Sequence, residues 1–198
     1  MPSSSKQTDF LLRHEILNRM TKMRFLMDAK EPLNEQVKRD FLDALAWVSF
    51  LVAQPELFHG KASQVFLAET NLQDLLEITF LLQAQAAQKH IQGKFSENEV
   101  RILTDKNRSK EILAHLLRFI LEKAGSVKWL IKGSKLLFKH DQGLLVLPRL
   151  TPLECLNAVG LNDFERLFCC LLHQAEAANL NIVSRKKGIE VKFKLLNS

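Results

Sequence analysis

Two consecutive amphipathic helices at the start of the chain constrain its fold more than any other feature. Between about Asp9 and Ala29, apolar side chains recur at steps of three and four, the period of one helix face. Glu31-Pro32 interrupts this pattern, and a second one runs from about Leu33 to Gln54. The two stripes are Leu12, Ile16, Met20, Met23 and Met27, then Val37, Phe41, Leu45, Val48 and Leu51 or Val52. A two-helix hairpin buries both stripes poorly alone, so we expect a second copy to complete a four-helix bundle.

After Pro55 and the His59-Gly60-Lys61 turn, short strands alternate with helices. The predicted strands are 64–68, 99–104, 127–131, 136–140, 144–147, 180–183 and 190–196, and the predicted helices are 72–88, 109–123 and 164–178. This order predicts an α+β fold, in which the hairpin precedes an α/β sandwich of helices over a mostly antiparallel sheet. The predicted division is a disordered N-terminus at 1–8, a helical hairpin domain at 9–60 and the sandwich domain at 61–198.

Composition excludes several classes of protein. The chain has 198 residues, 46% of them hydrophobic, which is enough to bury a core. Its apolar runs are too short to cross a bilayer and no signal peptide opens it, so we expect a cytoplasmic protein without membrane contact. The cysteines Cys155, Cys169 and Cys170 lack the spacing of a zinc site, and we expect them to be reduced thiols.

The positive charge is concentrated toward the C-terminus. Of the Lys and Arg residues, 17 lie in residues 1–124 with 16 acids, whereas 11 lie in residues 125–198 with 6 acids. Such an excess could meet nucleic acid or an acidic protein surface. Few aromatic residues lie among the bases Arg185, Lys186 and Lys187, so we do not expect nucleic acid as the partner, and a solvated face is the simpler interpretation.

His14 is the candidate functional residue of the first helix. On a helical wheel it lies roughly 160 degrees from the centre of the predicted stripe, so we expect an exposed imidazole. Imidazole is a competent nucleophile at neutral pH when a neighbour fixes its tautomer, and Glu15 and Asn18 are close enough to do so. On geometry alone, an exposed histidine on a helix is more often an ordinary surface residue than a functional one.

Residues 13–21, Arg-His-Glu-Ile-Leu-Asn-Arg-Met-Thr, resemble the phosphoacceptor box of sensor histidine kinases, although Arg19 replaces the usual proline. Residues 56–61 and 70–76 are similar to the end of the kinase hairpin and the entry to its ATPase domain. Residues 104–108 and the helix after them resemble the segment that leads into the metal-binding helix. The turn at 184–188 and the strand after it also fit, so the resemblance covers nearly the whole chain from about residue 8.

The nucleotide site of that family is degraded in this chain. His115 and Phe119 stand where the resemblance places two metal-binding asparagines, and Asp141-Gln142-Gly143 keeps only half of the adenine-binding turn. Residues 160–164, Gly-Leu-Asn-Asp-Phe, replace a glycine-rich phosphate loop and add an acid. Phenylalanine cannot bind a metal and a carboxylate repels triphosphate, so we expect no ATP binding and no bound cofactor.

The resemblance implies a two-component or phosphorelay signalling protein similar to the sporulation-type histidine phosphotransferases, without ATP-dependent kinase activity of its own. Its catalytic residue would be His14, with Glu15 orienting the imidazole and Asn18 positioning water for dephosphorylation. The partners would be response-regulator receiver domains, which supply Mg²⁺, and a second copy of the chain. The alternative is a non-enzymatic dimeric pseudokinase that binds and regulates a histidine kinase or a response regulator.

Overall fold

The structure is a computed structural model that describes residues 4–28, 34–62, 64–77, 91–94 and 100–196. The chain forms two compact units, one made of Met1–Ser63 and Arg149–His173, the other of Gln64–Pro148 and Gln174–Ser198. None of the helices within the described ranges is long and apolar enough to cross a membrane.

The first unit contains the predicted hairpin and two helices from much later in the chain. Its helices are α1 (Ser4–Asp28), α2 (Glu35–Ala53), α3 (Pro55–Phe58), α6 (Pro152–Asn157) and α7 (Asp163–His173). Helix α2 begins where the Asn34 side chain accepts the Val37 N–H, and Pro55 at the start of α3 follows its end. Helix α7 packs along α2, while α6 contacts α1, α3 and α7.

The buried faces of α1 and α2 differ from those that the sequence predicts. In α2, Trp47 and Leu51 are buried, whereas Leu45 and Val52 of the predicted stripe are 44% and 63% exposed. In α1, Leu12 is buried, but several large apolar side chains are exposed, two of them from its predicted stripe: Phe10, Leu17, Met20, Phe25 and Met27. The reason is that α7 covers a face of α2 rotated from the stripe, and the periodicity of the hairpin carries no information about a helix that arrives from elsewhere in the chain.

The second unit is the predicted α/β sandwich. Its elements are β1 (Ala68–Asn71), α4 (described at 72–77), β2 (Ile91–Lys94), β3 (Arg101–Thr104), α5 (Lys106–Ala124), β4 (Val127–Lys132), β5 (Lys135–Lys139), β6 (Leu180–Arg185) and β7 (Gly188–Phe193). Five strands form a sheet in the order β2-β4-β5-β7-β6, antiparallel except for β2 and β4, and β1 pairs with β3. Helix α5 packs on β4 and buries the predicted row Ile112, Leu113, Leu116, Leu117 and Ile120. The predicted fold class is therefore confirmed.

Several predicted boundaries differ from the structure. Helix α1 already begins at Ser4, and the buried Thr8 shows why: these first turns pack against the unit instead of forming a disordered tail. Residues 144–147, predicted as a strand, pair with no described strand, and Leu144 and Val146 are 58% and 73% exposed. Residues 149–173, predicted in the sandwich domain, belong to the first unit because α7 packs on α2.

Other strand and helix ends move by a few residues. The first predicted strand, 64–68, is replaced by β1 at Ala68–Asn71, and the predicted helix 164–178 ends at His173, followed by a turn at 174–179. The break at Glu31-Pro32, residues 78–88 of the predicted helix 72–88, and residue 99 of the predicted strand 99–104 lie outside the described residues.

Candidate functional site

His14 lies on the solvent side of α1, as predicted. Its side chain is exposed, and on the helix it faces away from the buried Leu12. The ring of Phe10, one turn earlier, stacks on the imidazole with centroids 6.0 Å apart and an angle of 22° between the planes. The stacking supports one face of the ring, and the side chain remains exposed to a macromolecular partner.

Asn18 is the side chain that touches the imidazole edge. Its amide nitrogen lies 3.1 Å from His14 Nδ1, one helical turn along α1. An amide can offer either its NH₂ group or its oxygen to the same neighbour by a half turn. As the amide stands, its NH₂ group donates to Nδ1 and the ring proton is on Nε2. When a half turn of the amide brings its oxygen to Nδ1, that nitrogen keeps its proton and donates it to Asn18, and Nε2 has a free lone pair.

Glu15 faces the interior of the unit, not His14. Its Oε1 accepts hydrogen bonds from Trp47 Nε1 at 3.1 Å and from Arg19 Nε at 3.0 Å, and Arg19 Nη2 lies 2.9 Å away. Consecutive residues on a helix are turned by about 100 degrees, which separates the directions of the two side chains. Asn18, and not Glu15, therefore lies beside the imidazole. The catalytic role expected for Glu15 stays a prediction.

A largely buried ion-pair network links Glu15 and Arg19 to helix α7. Asp163 Oδ1 lies 3.0 Å from Arg19 Nε, and Asp163 Oδ2 lies 3.6 Å from Lys22 Nζ. Arg166 Nη1 lies 4.0 Å from Glu15 Oε1, and the Arg166 guanidinium donates to the backbone carbonyls that end α6. The network fastens the start of α7 to the face of α1 adjacent to His14.

Sequence reasoning missed Trp47, Asp163 and Arg166 as members of this site. One signal was available: Arg19 and Glu15 lie on the inner side of an amphipathic helix, where buried charges require partners. The identity of those partners could not be inferred, because Asp163 and Arg166 follow Arg19 by more than a hundred residues.

The residues that the resemblance placed in a nucleotide site have other surroundings. Phe119 is only 6% exposed and belongs to the apolar side of α5. His115 Nδ1 lies 2.9 Å from the Glu111 carbonyl oxygen of its own helix. Asp141 and Gly143 lie in an exposed bend after β5, as turn chemistry alone predicts.

The three cysteines of the chain lie together in α6 and α7, and all are free and buried. The hydrogen bond with Cys169 acts to lower the pKa of Cys155, but the hydrogen bond with Cys170 and burial outweigh it and raise that pKa to about 12. The hydrogen bond with Cys155, together with burial, raises the pKa of Cys169. The Cys155 and Cys169 thiols are therefore protonated at neutral pH and are weak nucleophiles.

A cleft of about 840 Å³ opens in the same unit, and His14 is not among the residues that line it. The cleft contains a contact between His59 Nε2 and Asp9 Oδ1 at 3.1 Å and an ion pair between Lys61 and Glu56. Asp9, Glu56 and Lys61 therefore each have a partner within the cleft.

Comparison with known proteins gives a fold and no sequence relative. No family model and no curated protein matches the sequence. Among solved structures, the chain is similar to histidine kinase AdeS of Acinetobacter baumannii, with 12% identity, a TM-score of 0.54, and 94% of this chain and 98% of that chain covered. The chain has the fold of a histidine kinase.

Two further structures share this architecture. Full-length histidine kinase ShkA in complex with AMPPNP has 18% identity and a TM-score of 0.52, covering 98% of this chain and 47% of that one. Histidine kinase ThkA in complex with the response regulator TrrA has 18% identity and a TM-score of 0.51, covering 92% of this chain and 59% of that one. At these identities the likeness concerns the fold.

Proposed function

We propose that the chain is a two-component signalling protein that relays phosphoryl groups between response-regulator receiver domains through His14. The observation that carries the proposal is the exposed imidazole of His14, which Asn18 contacts at Nδ1, on the first helix of a histidine-kinase fold. With its oxygen turned toward Nδ1, Asn18 would hold the tautomer that leaves Nε2 free, and Phe10 supports the ring, so the groups that prepare the nucleophile belong to one exposed helix surface.

The proposed chemistry needs few groups from this chain. The lone pair of His14 Nε2 attacks the phosphorus of an aspartyl phosphate on a receiver. The N–P bond forms as the P–O bond to the aspartate breaks, and the carboxylate departs. The phosphorylated ring keeps its proton on Nδ1 and donates it to the Asn18 oxygen. Attack by a second receiver's aspartate reverses the step, with Mg²⁺ supplied by the receiver, so positioning dominates.

We propose that this chain does not phosphorylate His14 from ATP. Phe119, at one position expected to bind a metal, is buried among apolar side chains. Asp163, in the segment that replaces the phosphate loop, is occupied by Arg19 and Lys22. Phosphate must therefore reach His14 from another protein, a receiver or a histidine kinase, within the cytoplasm.

The first experiment is phosphoryl transfer from a panel of phosphorylated receiver domains. Wild-type protein should acquire acid-labile, alkali-stable phosphate and pass it to a second receiver, whereas His14→Ala should acquire none. The matched control is His173→Ala, which removes another exposed histidine of the same unit and should leave transfer unchanged. A His14→Ala protein that still relays phosphate would contradict the proposal.

A second candidate function is a non-enzymatic adaptor that binds and regulates a kinase or a receiver. The observation that favours it is the commitment of Glu15 to Trp47 and Arg19, which removes the acid next to His14 from the imidazole. An adaptor would bind its partner equally well as wild-type protein and as the His14→Ala variant. Calorimetric titration of both proteins against the same receiver panel, with no label on either, would support the adaptor over the relay.

We propose in either case that the protein is a homodimer. The exposed apolar side chains of the predicted stripes, Met20 and Met27 on α1 and Leu45 and Val52 on α2, remain uncovered by the unit's own helices. A second copy that buries them would complete the expected bundle. Light scattering should give twice the monomer mass, and Leu45→Glu with Val52→Glu should give the monomer mass. A wild-type monomer at high concentration would contradict the dimer.

A further inference from the structure

The solvent side of the five-stranded sheet carries an unusual concentration of cations. Along β4, β5 and β7, inward residues are buried and alternate with outward residues. We define the basic sheet face by its outward residues Lys128, Leu130, Lys132, Lys135, Leu137, Lys139, Glu190, Lys192, Asn181, Val183 and Arg185. This face holds six cations and a single acid among the described residues.

Strand register places like charges directly opposite one another on this face. Lys128 is opposite Lys139, and Lys135 is opposite both Lys132 and Lys192. Like charges at opposed positions destabilise a sheet. Glu190 is within 3.3 Å of Arg185 and 3.4 Å of Lys192, which leaves the other four lysines without an acidic partner among the described residues. The free protein therefore carries a repulsion that an anionic partner would relieve.

The cations form two rows with an apolar strip between them. One row crosses the strands through Lys132, Lys135 and Lys192, and the strip between the rows contains Leu130 and Leu137. The other row contains Lys128 and Lys139 on β4 and β5, with Arg185 on β6. The rows are four residues apart along each strand, which is about 13 Å at 3.3 Å per residue. A helix with its side chains is about 10–12 Å wide and fits between them.

Three observations distinguish a protein partner from nucleic acid or a membrane. The aromatic residues of these strands, Trp129, Phe138 and Phe193, are on the buried side, so the face has no platform on which bases could stack. Arginine, the residue that reads guanine with two hydrogen bonds, occurs once, at Arg185. Leu137 is half-buried between the lysine rows. It therefore does not project from the face as a residue that inserts into a bilayer does, and it can contact an apolar side chain of a protein partner.

We propose that the basic sheet face docks an acidic amphipathic helix of a partner protein, with carboxylates along both sides of an apolar ridge. The ridge would lie on Leu130 and Leu137, and the two rows of carboxylates would face the two rows of cations. This docking is independent of His14, since every residue of the face belongs to the second unit. The protein would then have two interaction surfaces: the exposed side of α1 in the first unit, where the proposed chemistry takes place, and the basic sheet face in the second unit.

The test uses a synthetic helical peptide of about 18 residues, or roughly 27 Å of helix, with leucines on one face flanked by glutamates. A peptide of identical composition but scrambled order, a short DNA duplex and phosphatidylserine vesicles serve as competing probes. Fluorescence anisotropy with the full chain should show saturable binding of the designed peptide that weakens at higher salt. Binding should be at least about tenfold weaker for the scrambled peptide.

Two sets of variants locate the binding. Lys128→Gln, Lys132→Gln, Lys135→Gln and Lys139→Gln together should weaken peptide binding at least about tenfold. The control removes the same charge from exposed lysines elsewhere, Lys6, Lys38, Lys106 and Lys123, and should leave binding unchanged. Leu137→Ser should weaken binding with all charges kept. Equal losses in both lysine sets, equal binding of the scrambled peptide, or binding of only the duplex or the vesicles would overturn the proposal.

Discussion

The ion pair between Arg19 and Asp163 allows a quantitative test of how α7 is held on the hairpin. The Asp163 side chain is 3% exposed, and its closest cation is Arg19 Nε at 3.0 Å. Arg19→Met would leave this buried carboxylate with Lys22, which lies 3.6 Å away and is 43% exposed. Breaking a fully buried pair costs about 3–5 kcal/mol, and the remaining Lys22 together with the partial exposure of Arg19 reduces our expectation to about 2–3 kcal/mol.

Because Arg19 also contacts Glu15, a double-mutant cycle is needed to isolate the pair. Urea unfolding of wild type, Arg19→Met, Asp163→Asn and the double variant should give a coupling energy of about 1–2 kcal/mol. The control cycle uses Arg24 and Asp28 of the same helix, whose atoms are 3.6 Å apart and whose side chains are 84% and 69% exposed. That coupling should be about 0.2–0.5 kcal/mol. Equal couplings in the two cycles would refute the assignment of Asp163 as a buried fastening of α7.

Three further predictions concern local features. A Cβ at Gly188 would lie 2.1 Å from a carbonyl oxygen of β5, so Gly188→Ala should lower the free energy of unfolding by about 1–3 kcal/mol. Gly143 has open space around it, so Gly143→Ala should change that free energy by less than about 0.5 kcal/mol. Urea titration measures both. All three thiols are buried and the pKa of Cys155 is raised to about 12, so a disulfide reagent at pH 8 should label native protein only slowly and should label all three thiols after unfolding. Rapid labelling of native protein would contradict their burial. Hydrogen bonds from the Thr151 backbone N–H and hydroxyl hold the pKa of Glu154 below its ordinary value of 4.5. The stabilisation is therefore fully present above that value and lost as pH falls through the folded pKa. Glu154→Gln should lower the unfolding temperature at pH 7, and this difference should shrink as the pH falls below 4.5.

Local periodicity predicts the helices well, because it depends on residues within two turns of one another. Local periodicity is a poorer guide to which face of each helix is buried. The predicted stripe of α2 is centred on side chains such as Leu45, whereas the structure buries Trp47 because α7 arrives from more than a hundred residues away. Tertiary contacts of that separation leave no periodic trace in the hairpin itself.

The last hairpin of the sheet shows how turn chemistry misplaces a boundary. The sequence predicts a five-residue turn at 184–188, since two lysines and a glycine favour exposure. The structure instead pairs Arg185 with Gly188 and leaves only Lys186 and Lys187 in the turn. Gly188 begins β7, where the backbone of the neighbouring strand β5 comes too close for any side chain. The glycine is therefore required by a contact with β5, which the turn sequence does not reveal.

The candidate functional residues of α1 lie on two different sides of the helix. Asn18 shares the exposed side with His14, while Glu15 and Arg19 belong to the network that holds α7. Loss of Asn18 should therefore affect chemistry without affecting stability, and loss of Glu15 should do the reverse. In a relay, Asn18→Ala slows phosphoryl transfer while the unfolding temperature stays constant. In an adaptor, Asn18→Ala changes neither partner binding nor the unfolding temperature, whereas Glu15→Gln should lower the unfolding temperature under either function. Asn18→Ala therefore distinguishes the two functions, and Glu15→Gln serves as its structural control.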